Sequence, residues 1–165
     1  MKKQKGFTLT ELIVVIVIIA ILVAALTPAI LGVINRANRA ADEADARTMM
    51  IAASTAASMR QPAPGIEGVN LNNMRTAFGL GYDDATASTG LAQGTYIVHF
   101  RGPVAIGARI INGGRLGPNN AAVTASNQVV VGTAPVTPPA GTRTVTITVG
   151  ADGHLASGAV SSPSA

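Results

Sequence analysis

The sequence contains no cysteine. That excludes a disulfide framework and a thiolate metal site, so an exported form of the chain must close its fold by packing and hydrogen bonds. Charge is scarce as well, at 12% of residues. Beyond residue 6 there is no lysine; nine arginines face eight acidic residues, which leaves one positive charge in excess. The formal charge of +4 and the pI near 10.1 therefore report Lys2, Lys3 and Lys5 at the N-terminus and not a nucleic-acid-binding surface. Histidine occurs twice, as His99 and His154, and there is neither a Gly-x-Ser-x-Gly turn nor a zinc-ligand spacing. These absences argue against an enzyme and imply no cofactor. Asp83-Asp84 is the one acidic pair in a loop, and a solvated turn is the better reading of it than a calcium site. No Asn-x-Ser/Thr acceptor is present.

What is abundant is apolar sequence, and it is unevenly spread. Residues 12–26 include no polar side chain, and from 12 to 34 the run is broken only by Thr27, Pro28 and Gly32. As a helix this stretch is roughly 35 Å long, enough to span a bilayer. Three lysines precede it and Arg36 and Arg39 follow, a bias that favours the N-terminus inside. A secretory signal peptide cut near Ala24-Ala25 or Pro28-Ala29 and a simple signal anchor both fit the hydropathy alone. The sequence that follows favours neither. No turn signal occurs between Gly32 and Arg60, and Ile30, Ile34, Ala37, Ala41, Ala44, Thr48, Ile51 and Thr55 recur at steps of three and four, one helical stripe. Arg39 with Glu43 and Glu43 with Arg47 are spaced for ion pairs on the exposed side. The helix is expected to run on to about Met59, where Gln61-Pro62-Ala63-Pro64-Gly65 stops it. From Phe7 that is about 80 Å of helix, more than one globular domain covers.

Beyond Gly65 a short helix is expected over 70–80 and a loop over 82–93. Strands are expected at 95–100, 104–111, 128–131 and 143–149, separated by the turn clusters Arg101-Gly102-Pro103 and Asn112-Gly113-Gly114. The run from Thr144 to Val149 alternates strictly, so one face is buried and the other wet. Asp152-Gly153 reads as a hairpin turn leading to a short strand at His154 and Leu155, and 158–165 as a mobile tail. The expected fold is α+β: a long N-terminal helix, hydrophobic and protruding in its first half, packed in its second half on an antiparallel sheet. Its parts are a basic leader (1–6), an apolar helix half (7–34), an amphipathic half (35–60) and a sheet-bearing head (61–165). Arg101, Arg109, Arg115 and Arg143 lie on the head, with Phe78, Tyr82, Tyr96 and Phe100 as its aromatics; a scattered solvated surface is favoured over a DNA-contacting one.

The segment Gly6-Phe7-Thr8-Leu9-Thr10-Glu11, with Lys-x-Lys before it and an unbroken apolar run after it, resembles the processing site of type IV pilins and related pseudopilins. Pro28, 21 residues after Phe7, stands where this family usually carries a proline. The resemblance covers residues 1–59 in detail. It implies cleavage after Gly6 by prepilin peptidase on the cytoplasmic side and N-methylation of Phe7. It implies intersubunit pairing of Glu11 with the Phe7 amine of a neighbour, and a local kink at Pro28. Its partners are identical subunits in a helical filament, the inner membrane before assembly and the pilus assembly machinery. A major pilin of an extracellular pilus is favoured over a secretion pseudopilin. For Glu11 the alternative is a carboxylate that merely complements the positive end of its own helix. Ala20 departs from the family, where glycine is frequent, and the missing cysteines remove the disulfide that closes the C-terminal region of many pilins.

Overall fold

A computed structural model describes residues 6–60, 64–81, 86–111, 113–115, 129–132, 141–155 and 160. The first helix, α1 (Leu9–Ser58), is continuous and contains Pro28. The chain divides into two compact units, Met1–Ala37 and Asn38–Ala165.

In the first unit every described residue is exposed, and the large apolar side chains between Leu9 and Ile34 keep 47–75% of their surface open. The β-branched run from Val14 to Ile19 would favour a strand by propensity in water. Lipid reverses that preference, because each backbone N–H and C=O there must find its partner within the segment. The helix is long and apolar enough to cross a membrane. Pro28 has no N–H to offer the Ala24 carbonyl. One residue earlier, the Thr27 hydroxyl donates to the Val23 carbonyl at 2.8 Å.

Among its described residues the second unit holds the rest of α1, a 3-10 turn (Ile66–Gly68), α2 (Leu71–Ala77) and four strands: β1 (Gly94–Arg101), β2 (Val104–Ile111), β3 (Val129–Gly132) and β4 (Arg143–Val149). The sheet is antiparallel throughout with order β3-β2-β1-β4. Tyr96 stands opposite Ile110 and Ile147, and Val98 opposite Ala108 and Val145. Together with Phe100 these residues form the sheet's share of a single core, completed by Met49, Ala53, Ala56 and Ala57 of α1 and Met74 of α2. Asn70 caps α2, its side chain accepting from the Asn73 amide at 3.0 Å.

The buried stripe of α1 is not the one expected. Asp42, Asp45, Ala46, Met49, Ala52, Ala53, Ala56 and Ala57 face inward, whereas Ala44, Thr48, Ile51 and Thr55 are exposed, Ile51 by 62%. Alanine occurs all around this part of the helix, so a three-four period fits more than one face. The hydroxyls of Thr48 and Thr55 bond within their own helix, to the Ala44 and Ile51 carbonyls. Glu43 and Arg47 pair at 2.7 Å as their spacing implies. The helix ends at Ser58, and the Gly65 amide takes the Ala57 carbonyl at 3.1 Å; of the stop signal, 61–63 lie outside the described residues.

The C-terminal region is held without a covalent link. Arg75, buried on α2, donates to the Leu155 carbonyl at 2.9 Å. The Thr89 amide and hydroxyl both donate to the Gly153 carbonyl. The turn at Asp152-Gly153 forms, with the Gly153 amide on the Gly150 carbonyl and the Gly150 amide on the His154 carbonyl. The expected return strand is reduced to isolated bridges, His154 with Ser88 and Val160 with Ile147. The predicted tail falls outside the described residues except for Val160, and so does 82–85 of the predicted loop. Replacing Arg75 by Met removes a charged donor and leaves the Leu155 carbonyl buried and unpaired. The head is expected to lose about 2 kcal/mol, read by chemical denaturation of the full chain in detergent, with faster proteolysis after Leu155.

Candidate functional site

Gly6, Phe7, Thr8 and Glu11 form the entry to α1. A Cβ added at Gly6 would meet nothing within 4 Å, and Phe7 is 93% exposed. Thr8 immediately precedes the first helical residue, and Glu11 is the third helical position. The two side chains close on each other. The Glu11 amide donates to the Thr8 hydroxyl oxygen at 3.3 Å, while the Thr8 amide and hydroxyl donate to Glu11 Oε2 at 2.8 and 2.9 Å. This reciprocal capping box satisfies amides that the helix start leaves without partners and sets a negative charge at the positive end of the helix. All of the carboxylate's bonds to Thr8 fall on Oε2; Oε1 takes none of them. Pro28 lies far along the same helix and has no part in this constellation.

A second polar cluster lies inside the head. Asp42 is 1% exposed and Asp45 9%, and both reach Arg115 in the turn after β2. The Arg115 Nη1 lies 2.7 Å from Asp45 Oδ2 and 3.5 Å from Asp42 Oδ1, and the Arg115 amide donates to Asp42 Oδ1 at 2.9 Å. Asp45 Oδ2 also accepts from the Ala92 amide at 3.0 Å. The hydrogen bond to Asp45 holds the Arg115 guanidinium above its ordinary range. Burial, reinforced by Asp45 and Asp42, raises the nearby Tyr96 phenol, which donates to the Ala92 carbonyl at 2.8 Å. Gly114 is required here: its φ is +81°, and a Cβ would sit 2.6 Å from Asp42 Oδ2. Both carboxylates thus tie the loops flanking the sheet to α1. Asp42 and Asp45 fall outside the helical stripe expected from the sequence. The signal that finds them is the three-four step continued backward from Ala56, Ala53 and Met49.

The arginines grouped as a candidate DNA-contacting set do not act as a group. Arg115 serves Asp42 and Asp45, Arg143 pairs with Glu67 at 2.6 Å, Arg109 lies on the opposite sheet face from Tyr96, and Arg101 is exposed at the end of β1. Tyr96 and Phe100 are core residues. His154 pairs with Asp152 at 3.0 Å, and His99 is buried in β1. Asp83-Asp84 and Tyr82 lie outside the described residues.

A family model described as the prokaryotic N-terminal methylation motif matches residues 1–27. It is the hallmark of type IV pilin and pseudopilin precursors. The chain has a prepilin N-terminus. Comparison with curated proteins and with solved structures gives no match. In a prepilin this motif implies processing by prepilin peptidase and entry into pilus-type assembly, and it marks a structural protein type, not an enzyme family. Together with the apolar α1 it fits a membrane-anchored precursor, and the long helix and four-stranded antiparallel sheet are pilin-like.

Proposed function

We propose that this prepilin is the major subunit of an extracellular type IV pilus, cleaved between Gly6 and Phe7, methylated at Phe7 and polymerised through α1. The observation that carries the reading is the methylation motif over 1–27, carried on a helix whose large apolar side chains from Leu9 to Ile34 stay exposed. Each large apolar side chain there recovers on the order of 1 kcal/mol when neighbouring helices cover its open half. More than a dozen of them per subunit hold a filament without covalent links. Head-to-tail contact that does not close on itself gives a helical polymer.

Glu11 sets the register of that polymer. Cleavage converts the Phe7 amide into an amine, the positive partner that a carboxylate in an apolar bundle needs. The capping box engages Oε2, and Oε1 is the atom offered to the amine of an incoming subunit. Pro28, with the Ala24 carbonyl left without its helical donor, is the place where α1 bends or opens to fit its neighbours. Such fibres serve adhesion, twitching motility or DNA uptake.

Intact mass and N-terminal peptide mapping of the exported protein test the reading. The expected chain begins at Phe7 and is heavier by one methyl group. A chain beginning between Ala25 and Ile30 would identify an ordinary secreted domain, and an intact Met1 chain a signal anchor; either outcome ends the proposal. Fibres recovered by shearing whole cells distinguish a surface pilus from the periplasmic rod of a pseudopilin.

A further inference from the structure

His99 occupies the middle of β1 on the sheet face opposite Tyr96 and Val98, following the two-residue alternation of the strand. It is 0% exposed, and neither ring nitrogen has a hydrogen-bond partner among the described residues. Burying a neutral imidazole in this way is tolerable, but burying the charged form without a partner is not. Its surroundings offer no relief. Directly opposite are Gly107 on β2 and Thr144 on β4. Thr146 on β4 and Arg109 on β2 flank Ile97 on the same face, and beyond β2 the strand β3 places Gly132 against Gly107 and Val130 against Arg109. Among the described residues the charge on this face is Arg109, of the same sign as a protonated histidine. Residues 116–142 and 156–165 contain no acidic side chain. Asp42 and Asp45 are engaged by Arg115, Glu67 by Arg143 and Asp152 by His154. Asp83 and Asp84 lie outside the described residues.

We propose that His99 is an acid-sensitive latch of the head: neutral, it lets the β1–β2 region close; protonated, it forces that region open. Two physical terms point the same way. Burial holds the imidazole below its ordinary range, and Arg109 pushes it further down. The unfolded chain, with a histidine value near 6.5, takes up the proton first. The stability due to neutral His99 is complete above about pH 6.5, declines as pH falls below it, and levels off beneath the folded-state value. The latch concerns the head alone and does not depend on how α1 assembles.

The test uses the full processed chain in detergent micelles, with hydrogen exchange at β1 and β2 amides and protease susceptibility compared at pH 7.5 and 5.0. Wild type is expected to open on the order of tenfold more readily at pH 5.0. His154→Gln, which removes the other histidine, should keep that difference, and His99→Met, of similar volume and uncharged, should abolish it. An undiminished acid response in His99→Met overturns the proposal, as does an acid response lost in His154→Gln. Should His99→Met fail to fold, the ring-proton titration of His99 in wild type decides: titration below the ordinary histidine range together with amide opening supports the latch, and titration at the ordinary value overturns it.

Discussion

If the proposed pilus assembly holds, Glu11→Gln is expected to leave the chain in the membrane and cleaved after Gly6, while the yield of sheared filaments falls by roughly a hundredfold, the scale of one lost ion pair in a low-dielectric bundle. Glutamine is chosen because it serves in a capping box as well as glutamate does. The Thr8 amide and hydroxyl keep an oxygen acceptor, the helix start is preserved, and only the charge is removed. Filament yield by shearing and immunoblot, set against the amount of processed subunit in the membrane fraction, measures the effect. Filaments at the wild-type level would show that Glu11 acts within its own chain, as a cap, and that the pairing with a neighbour's amine is not what orders the polymer. Loss of cleavage in the same variant would place Glu11 in peptidase recognition instead.

Arg115→Met is expected to destabilise the head by about 3 kcal/mol. The arginine side chain is 37% exposed, but the carboxylates it serves are not: Asp42 is 2% and Asp45 12% exposed at the side chain. Removing the guanidinium leaves two like charges buried a helical turn apart, which is the costly way to break such a cluster. The exposure of the arginine places the figure at the lower end of the usual range for buried pairs. Denaturant unfolding of the full chain in detergent, followed by far-UV circular dichroism, reads the loss. Adding Asp45→Asn to Arg115→Met should restore part of it, since the three side chains share one network and their effects do not add. An Arg115→Met head as stable as wild type would mean that the cluster is held by the Arg115 and Ala92 amides alone.

The parts of the fold that sequence pattern makes legible are those where one physical preference dominates. The strands Val104–Ile111 and Arg143–Val149 have the bounds that alternation and β-branched content predict, because a half-buried strand must alternate. β1 runs one residue beyond expectation at each end, at Gly94 and Arg101, and β3 one residue beyond at Gly132, where pairing continues past the apolar pattern; the expected first residue of β3, Gln128, lies outside the described residues. The processing segment is legible for a different reason: glycine, aromatic and acid occur at fixed spacing before an uninterrupted apolar run. The inward face of α1 is not legible, because alanine satisfies a buried and an exposed position equally. What decides between the faces is where Asp42 and Asp45 find Arg115, some 70 residues away in sequence. The same holds for Arg75, whose acceptor is a backbone carbonyl 80 residues on. Long-range polar contacts leave no local period to read.

The bareness of residues 9–37 has one more consequence. A helix segment whose described side chains are all exposed has no packed core of its own to rearrange when its surroundings change. Acyl chains and the flanks of sister helices are interchangeable linings for it. In the proposed fibre, extension and withdrawal would then be a change of company, with any change of shape confined to the neighbourhood of Pro28, and a subunit drawn back into the bilayer would be ready for another round without refolding elsewhere.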